Sequence, residues 1–242
     1  MDRLVHGHEL LDGPLDDEAA LAGNLRDLAR VNRLLGGTGL SQSAIASLVR
    51  RAAPDASAVA LLDVGTGGAD IPAALVGRGV AGRRVAATGI DVRPEVVAAA
   101  RRRLGSASVV LRVADGLHLP FEDGSFDVVH ASLVLHHLDR EAAVAMLAEM
   151  ARVARLGIVV NDLERARIHW LGAWLMGHLL TRNPLTRADA PTSVRRAWTW
   201  QEALGLVAEA GLRPIAIERG FMRHRYAIAA TGLGAERDGR GG

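Results

Sequence analysis

The stretch ALLDVGTGGAD, residues 60–70, decides the fold of this chain. Residues 59–64 are apolar except for Asp63, a composition typical of a strand buried on both faces of a parallel sheet. Gly65 and Gly67 then allow the backbone to turn tightly and to approach a ligand, because neither residue has a Cβ. This strand and loop fit a nucleotide-like ligand and an ordinary turn equally well, so the rest of the chain has to decide.

The composition excludes several function classes. The chain has 242 residues and is 49% hydrophobic, which suits one α/β domain with additions. It contains neither cysteine nor lysine, so thiolate metal sites, cysteine nucleophiles, Schiff-base chemistry and the P-loop lysine are excluded. The absence of cysteine also indicates a reducing cytoplasm.

Charge and hydropathy argue against two kinds of partner. The formal net charge is only +2 and aromatic residues make up 3% of the chain, so we expect no nucleic-acid partner. The most apolar long stretch, residues 168–180, covers about 13 positions, which is too short to span a bilayer. The first residues lack the order of a signal peptide. A homodimer is left open.

Strands and helices are expected to alternate in the middle of the chain. The expected strands of this part are 59–64, 85–90, 109–113, 126–131 and 158–161. Such alternation with helices predicts βαβ units and a parallel sheet. Two last strands, 214–219 and 223–230, are so close that a hairpin is expected. The predicted fold class is therefore α/β, a Rossmann-like doubly wound sheet of seven strands, six parallel and the last antiparallel.

Four regions are expected along the chain. Residues 1–55 are predicted to form an N-terminal helical lid, which either covers the site or packs against the sheet. Residues 56–232 form the core, with a helical insertion at about 162–198. Residues 233–242 are glycine-rich and are predicted to be a flexible tail.

Local sequence signals also predict helices before and after the part of the chain in which strands and helices alternate. Apolar residues that recur every three or four positions predict a first helix over 16–35. The second is expected to begin at Ser41, as its N-cap, and to end at Ala52. In the insertion we expect a helix over 163–180 and then a loop over 181–192, which is rich in helix-breaking residues.

Acidic residues follow three neighbouring strands. Asp63, Asp91 and Asp115 come at or near the strand ends, and the segment 132–138 follows the next strand. Ligands bind beyond the carboxyl ends of strands in such sheets, and Asp91 lies where the ribose of an adenosine is expected. These positions together predict a nucleotide-like ligand better than the first loop does alone.

Five motifs in this order resemble those of the class I S-adenosylmethionine (SAM)-dependent methyltransferases. They are DVGTGG at 63–68, GID at 89–91, ADG at 114–116, FDVV at 126–129 and LHHL at 135–138. The resemblance covers roughly residues 58–161 and implies SAM as the cofactor. Residues 24–37 and 161–165 also resemble methyltransferases that accompany bacterial polyketide and phenolic-lipid pathways. This narrower resemblance implies a small aromatic or polyketide substrate, methylated on a phenol or hydroxyquinone oxygen.

The resemblance also implies roles for single residues. Gly65 and Gly67 would pass under the methionine part of SAM, and Asp63 would order that loop or meet the amino group. Asp91 would take both ribose hydroxyls, and Asp115 would accept from the adenine amine. The other implied cofactor residues are Thr66, Val92, Gly116, Leu117, Asn32 and Arg33. Asn32 or Arg33 would meet the SAM carboxylate.

Few residues are candidates for the chemistry itself. SAM already carries the reactive group, so the protein mainly aligns the acceptor, although a phenol gains from a base. His136 and His137 either supply that base or pack. Asp162 either orients the acceptor or caps a helix. His169 lies seven residues after Asp162 and would share its face on a straight helix. No His/Asp/Glu group has convincing metal spacing, so no metal site is predicted.

Two other function classes stay open. A SAM-binding protein that catalyses cyclisation or decarboxylation would carry every cofactor motif found here. An NAD-dependent oxidoreductase would share the glycine loop and the ribose-binding acid. Its fingerprint, however, expects a third glycine where this chain has Asp70.

Overall fold

The protein is described by a computed structural model that covers residues 1–5, 7–14, 17–52, 57–105 and 108–233. Seven strands of these residues form one sheet: β1 (Ala58–Val64), β2 (Arg84–Asp91), β3 (Val109–Val113), β4 (Phe126–Ser132), β5 (Ala154–Leu163), β6 (Leu212–Arg219) and β7 (Arg225–Gly232). Their order across the sheet is β3-β2-β1-β4-β5-β7-β6. Only β7 among them runs antiparallel to its neighbours, β5 and β6. The predicted fold class is confirmed.

Helices cover both faces of the sheet. They are α1 (Glu18–Leu34), α2 (Gly37–Ala52), α3 (Asp70–Arg78), α4 (Pro94–Leu104), α5 (Arg140–Val153), α6 (Arg167–Leu180), α7 (Pro184–Arg196) and α8 (Trp200–Glu209). Successive side chains of a strand point to opposite faces, and β1 shows the result. Leu62 packs in a core that includes Met146 of α5 and Leu206 of α8, whereas Leu61 packs in a core that includes Ile45 of α2 and Leu75 of α3.

The strand order reverses at β1. From β1 the chain builds outward through β2 to β3, and it then returns to place β4 on the other side of β1. Crossover connections leave such a switch point in opposite directions, which opens a crevice beyond the carboxyl ends of the strands. The carboxyl ends of β1, β2 and β4 therefore define where a ligand can bind.

Helix α2 begins earlier than the sequence predicts. It starts at Gly37, directly after Gly36, which takes a positive φ of 80°. A Cβ at Gly37 would lie 2.1 Å from Nη1 of Arg225, so a larger residue there would displace that guanidinium group. Ser41 is thus inside the helix and fully buried. The prediction that Ser41 is an N-cap is wrong.

The Ser41 hydroxyl instead joins α2 to two strands of the sheet, β4 and β5. Its Oγ accepts a hydrogen bond from Asn161 Nδ2 at 2.8 Å and lies 2.8 Å from His130 Nε2. His130 Nδ1 lies 2.6 Å from Asp63 Oδ1. A neutral His130 satisfies this chain, because it accepts from Ser41 at Nε2 and donates to Asp63 at Nδ1. Four buried polar side chains are connected by hydrogen bonds in this way, and Asn161 Oδ1 is left without a partner among the described residues.

Two predictions for the second half of the chain are wrong. Strand β5 continues to Leu163 because it pairs with β7, with Asp162 opposite Tyr226. Asp162 is therefore a strand residue and not a helix N-cap, and it shares no helix face with His169, since α6 starts only at Arg167.

The expected loop over 181–192 is largely helix α7. Asn183 caps this helix by accepting from the Thr186 N–H, and Pro184 occupies its first turn. The Asp189 carboxylate then accepts hydrogen bonds from the backbone N–H groups of Leu10 and Leu11, at 2.7 and 3.0 Å. Capping and this docking outweigh the local helix-breaking signals.

The other predicted elements agree with the structure to within a few residues. β3 has the predicted bounds at both ends. The predicted division into lid, core and tail stays a prediction, and residues 234–242 of the expected tail lie outside the described residues. Among the helices that the structure describes, none has the length and apolar character that crossing a bilayer requires.

Replacing Ser41 with alanine is expected to lower the free energy of unfolding by about 1–3 kcal/mol, because His130 and Asn161 lose a buried partner. Urea unfolding measures this change. Ser43→Ala is the matched control, since Ser43 lies on the same helix and is exposed. Equal stability of the two variants would contradict the assigned role of Ser41.

Candidate functional site

A cavity of about 420 Å³ lies beyond the carboxyl ends of the central strands. This volume is within the range of small-molecule sites. Ten of the predicted cofactor residues line the cavity: Asp63, Gly65, Thr66, Gly67, Asp91, Val92, Asp115, Gly116, Leu117 and Asn32. Arg33 does not, and lines a second cavity with Arg30 and Arg78. Adjacent residues of a helix point about 100° apart, which separates Arg33 from Asn32.

The loop between β1 and α3 forms the floor of this cavity. Gly65 and Gly67 have positive φ angles of 64° and 51°, a conformation that favours glycine. A Cβ at Gly65 would also lie 2.4 Å from a methyl group of Val134. Ala69 has the same left-handed conformation, at φ 53°, and is fully buried before α3. The glycine pattern of the sequence is therefore explained by backbone conformation and close approach.

Asp63 fixes this loop with both of its carboxylate oxygens. Thr66 Oγ1 donates to Oδ2 at 2.6 Å, and His130 Nδ1 lies 2.6 Å from Oδ1. The side chain is almost completely buried between these partners. Of the two roles implied by the resemblance, the geometry favours ordering of the loop. His130 escaped prediction, although a polar residue in the middle of an apolar strand was a usable signal.

Asp91 lies at the cavity wall with its carboxylate held by the backbone. The Gly67 N–H donates to Oδ2 at 3.1 Å and the Arg93 N–H donates to Oδ1 at 3.0 Å. Burial raises the pKa of Asp91 despite these bonds. Each carboxylate oxygen has a second lone pair, so both remain able to accept from ligand hydroxyls.

Asp115 borders the cavity nearer to solvent. Its Oδ1 accepts from the Leu117 N–H at 2.9 Å, and this backbone hydrogen bond is the main reason that the pKa of Asp115 is lowered. The carboxylate is half-exposed. The three strand-end acids thus differ in environment. The Asp63 carboxylate is bonded to protein groups through both oxygens, the Asp91 carboxylate is largely buried at the cavity wall, and the Asp115 carboxylate is half-exposed to solvent.

The side-chain amide of Asn32 is also hydrogen-bonded within the protein through both of its polar atoms. Its Nδ2 donates to Asp70 Oδ2 at 3.0 Å, and its Oδ1 accepts from Arg225 Nη1 at 2.8 Å. Burial lowers the pKa of Arg225 to about 10. Asn32 therefore ties α1 to α3 and to β7 at the edge of the cavity, and Arg225 is a buried cation next to the predicted cofactor site that the sequence did not reveal.

A second group of charged side chains lies beside the cavity. We call it the acid–histidine cluster; it consists of Glu9, Asp12, His136, His137 and Asp162. His136 Nδ1 lies 2.7 Å from Asp162 Oδ1, and the His136 N–H donates to Asp162 Oδ2 at 3.1 Å. Burial alone would raise the pKa of Asp162, but the charge of His136 and these hydrogen bonds outweigh it and lower the pKa. The structure thus brings together two predicted residues, through a strand and not a helix.

Glu9 belongs to this cluster but was not predicted. Its Oε1 lies 3.7 Å from His136 Nε2, and its Oε2 lies 3.8 Å from His137 Nε2. Glu9 is only 5% exposed, and burial raises its pKa to about 7. The residue escaped prediction because the segment before α1 has no periodicity, and its contacts with the histidines are distant in sequence.

His137 and Asp12 are the members of the cluster that line the cavity. His137 Nδ1 lies 3.0 Å from Asp12 Oδ1, and Arg196 Nη1 donates to Asp12 Oδ2 at 2.6 Å. Burial would raise the pKa of Asp12, yet these two partners lower it far below its ordinary value. The His137 side chain is 24% exposed and the His136 side chain 3%, so a ligand in the cavity reaches His137 first.

His169 lies away from the cavity. Its ring nitrogens face the backbone oxygens of Glu164 and Met222, at 3.0 and 3.2 Å. No described residue of α6 lines the cavity. The structure therefore does not bring His169 together with the other predicted catalytic residues.

Known proteins are similar to this chain in sequence and in fold. A family model described as a methyltransferase domain matches residues 61–157. A demethylmenaquinone methyltransferase of Roseiflexus castenholzii (strain DSM 13941 / HLO8) is 31% identical over 185 residues, which cover 72% of this chain and 75% of that protein. A demethylmenaquinone methyltransferase of Roseiflexus sp. (strain RS-1) is 35% identical over 129 residues, or 53% of this chain. The chain spans about half the length of this second relative, 52%.

One further relative and two solved structures extend the comparison. The O-methyltransferase cnsE of Penicillium expansum is 35% identical over 108 residues, which cover 43% of this chain and 37% of that protein. A SAM-dependent methyltransferase from Aquifex aeolicus is similar over 86% of this chain and 97% of its own, with a TM-score of 0.59 and 17% identity. Human N-acetylserotonin methyltransferase in complex with SAM is similar over 92% of this chain and 61% of its own, with a TM-score of 0.64 and 16% identity. At these identities the two structures show the shared fold alone.

Asp91→Ala is expected to weaken SAM binding by roughly 1.5–3 kcal/mol, because the ligand loses charge-assisted hydrogen bonds. Titration calorimetry measures the affinity. Glu95→Ala serves as the control, since Glu95 is an exposed carboxylate in the first turn of α4. Unchanged affinity in the Asp91 variant would show that the ribose assignment is wrong.

Proposed function

Because this chain belongs to the class I SAM-dependent methyltransferases, a family whose cofactor is SAM, we propose that it transfers a methyl group from SAM to a small apolar acceptor. The acceptor that we propose is a phenol or hydroxyquinone oxygen of a natural product. The relative named as an O-methyltransferase supports an oxygen acceptor, and the two relatives named as demethylmenaquinone methyltransferases support an acceptor of the quinone type.

The residues at the cavity fit the cofactor. SAM supplies an activated methyl group on a sulfonium, which an oxygen nucleophile displaces in line. The loop at Gly65 and Gly67 lines the cavity, and the Asp91 carboxylate has free lone pairs at the wall. The chain's main contribution is then to hold donor and acceptor in line and to keep water out.

The observation that carries the proposal is the position of the His137–Asp12 pair at the wall of the same cavity. A phenol with a pKa of about 10 has to lose its proton as the oxygen attacks. An imidazole that a carboxylate holds at Nδ1 is a suitable proton acceptor near neutral pH. His136 has the same arrangement with Asp162, but Glu9 covers it.

Apolar side chains complete the proposed acceptor end. Leu11 of the N-terminal segment, Leu25 and Leu28 of α1, and Val134 and Leu138 after β4 all line the cavity. Such a wall favours a flat apolar acceptor over a highly charged one. We propose on this basis that α1 and the segment before it act as a lid over bound substrate.

Wild-type protein is expected to transfer label from methyl-labelled SAM to members of a panel of phenols and hydroxyquinones, and not to carboxylic acids. Chromatography of the extracted products measures the transfer. Tight SAM binding without transfer to any acceptor would contradict the proposal and favour a cyclase or decarboxylase. Tight NAD binding without SAM binding would favour the oxidoreductase.

His137→Gln is expected to lower kcat for a phenol by 10²–10⁴-fold, the range for loss of a general base, while SAM affinity stays unchanged. His178→Gln is the matched control, because His178 is exposed on α6 and stacks on Trp174, away from the cavity. Steady-state kinetics with both variants measures the effect. Wild-type kcat in the His137 variant would remove this residue from the proposed mechanism.

A further inference from the structure

The acid–histidine cluster has the composition and the spacing of a metal site. Glu9, His136 and His137 each offer one ligand atom, and the three atoms lie within 4.8 Å of one another. The distances from Glu9 oxygens to the two Nε2 atoms, 3.7 and 3.8 Å, are too long for hydrogen bonds. With ligand bonds of about 2.0–2.2 Å, neighbouring ligands of a tetrahedral ion are separated by roughly 3.4 Å. A small contraction of the cluster therefore places one ion between these atoms.

The surroundings of both imidazoles match those of metal-bound histidines. Each Nδ1 atom already faces a carboxylate, Asp162 for His136 and Asp12 for His137, at 2.7 and 3.0 Å. Such a carboxylate fixes the tautomer with hydrogen on Nδ1, which leaves the Nε2 lone pair free for an ion. Both Nε2 atoms are directed toward the same Glu9 side chain.

The charge balance of the cluster also favours a cation. Among the side chains that contact Glu9 and the two imidazoles, the carboxylates of Asp12 and Asp162 are negative and the Arg196 guanidinium is positive. Glu9 adds a third carboxylate to this group. Buried carboxylates are costly unless they are paired with cations or hydrogen-bond donors. A divalent cation would pair with them.

We propose that Glu9, His136 and His137 bind a divalent transition-metal ion of the Zn²⁺ type, with Asp162 and Asp12 orienting the two imidazoles. Two histidines and one glutamate form a known ligand set for Zn²⁺ sites that keep a position open. His137 lines the cavity. Its Nε2 atom either binds the ion or accepts the proton of a phenol, so the ion-bound form differs from the form in which His137 acts as the base. The binding of the ion does not depend on the proposed function.

Local sequence patterns did not predict this site because its ligands come from two distant parts of the chain. His136 and His137 are neighbours in the 3-10 turn Leu135–His137, whereas Glu9 precedes the 3-10 turn Leu10–Asp12. Adjacent histidines in a loop do not have the i, i+4 spacing of a helical metal motif. The expectation of no metal site rested on spacing along the chain alone.

The test uses full-length protein without an affinity tag, stripped with a chelator and then titrated with Zn²⁺. We expect one ion per chain, measured by elemental analysis after dialysis and by calorimetry. Co²⁺ in place of Zn²⁺ is expected to give the visible absorption of a four- or five-coordinate ion with nitrogen and oxygen ligands. Absence of stoichiometric binding would overturn the proposal.

Variants separate this site from adventitious binding. Glu9→Gln and His137→Gln are expected to weaken Zn²⁺ binding at least tenfold, and Asp12→Asn is expected to weaken it by 10–100-fold through the orientation of His137. The His6→Gln/His8→Gln double variant and His178→Gln are controls and should bind as wild type. Equal binding by all variants, or loss in the double variant alone, would overturn the site.

Two measurements distinguish loss of the metal site from failure to fold and from failure of the proposed function. Near-ultraviolet circular dichroism identifies variants that fail to fold. The Co²⁺ spectrum of His137→Gln, which replaces the more exposed of the two histidines, then decides whether His137 is a ligand. Zn²⁺ binding without any methyl transfer would support the site and contradict the proposed function. Methyl transfer in protein that binds no Zn²⁺ at any concentration would contradict the site alone.

Discussion

The hydrogen bonds of the Asp63 carboxylate are the interaction on which the cofactor end of the molecule depends. One oxygen holds Thr66 in the loop, and the other faces His130 of the adjacent strand. Through His130, the loop is connected to Ser41 of α2 on the face of the sheet. A buried carboxylate with both oxygens hydrogen-bonded holds the loop in this conformation without a ligand.

The acid–histidine cluster beside the cavity is buried at one end and reaches the cavity at the other. Glu9, His136 and Asp162 are enclosed, while His137 and Asp12 reach the cavity wall. Helix α7 supports this arrangement, because Arg196 bonds to Asp12 and Asp189 holds the backbone of the N-terminal segment. The segment before α1 is therefore part of the site, although the described part of this segment contains only one short 3-10 turn.

The sheet and the cofactor end could be predicted from the sequence because their signals are local. Apolar strands followed by Asp63 and Asp91 show the carboxyl edge of a parallel sheet without any knowledge of distant contacts. Ser41 and Glu9 could not be placed in this way, since their partners are far along the chain. Asp162 illustrates the limit: an acid before an apolar segment can cap a helix or end a strand, and only pairing with β7 decides.

The residues that order the cofactor loop lie far from one another along the sequence, and this has a consequence for folding. Asp63 and His130 are 67 residues apart, Ser41 and His130 are 89 apart, and Ser41 and Asn161 are 120 apart. Contacts that close such long loops carry a large entropic cost and slow folding. A growing chain that has already completed β1 and its glycine loop therefore still lacks an ordered cofactor pocket. The pocket is complete only after β4 and β5 have joined the sheet beside β1, late in synthesis.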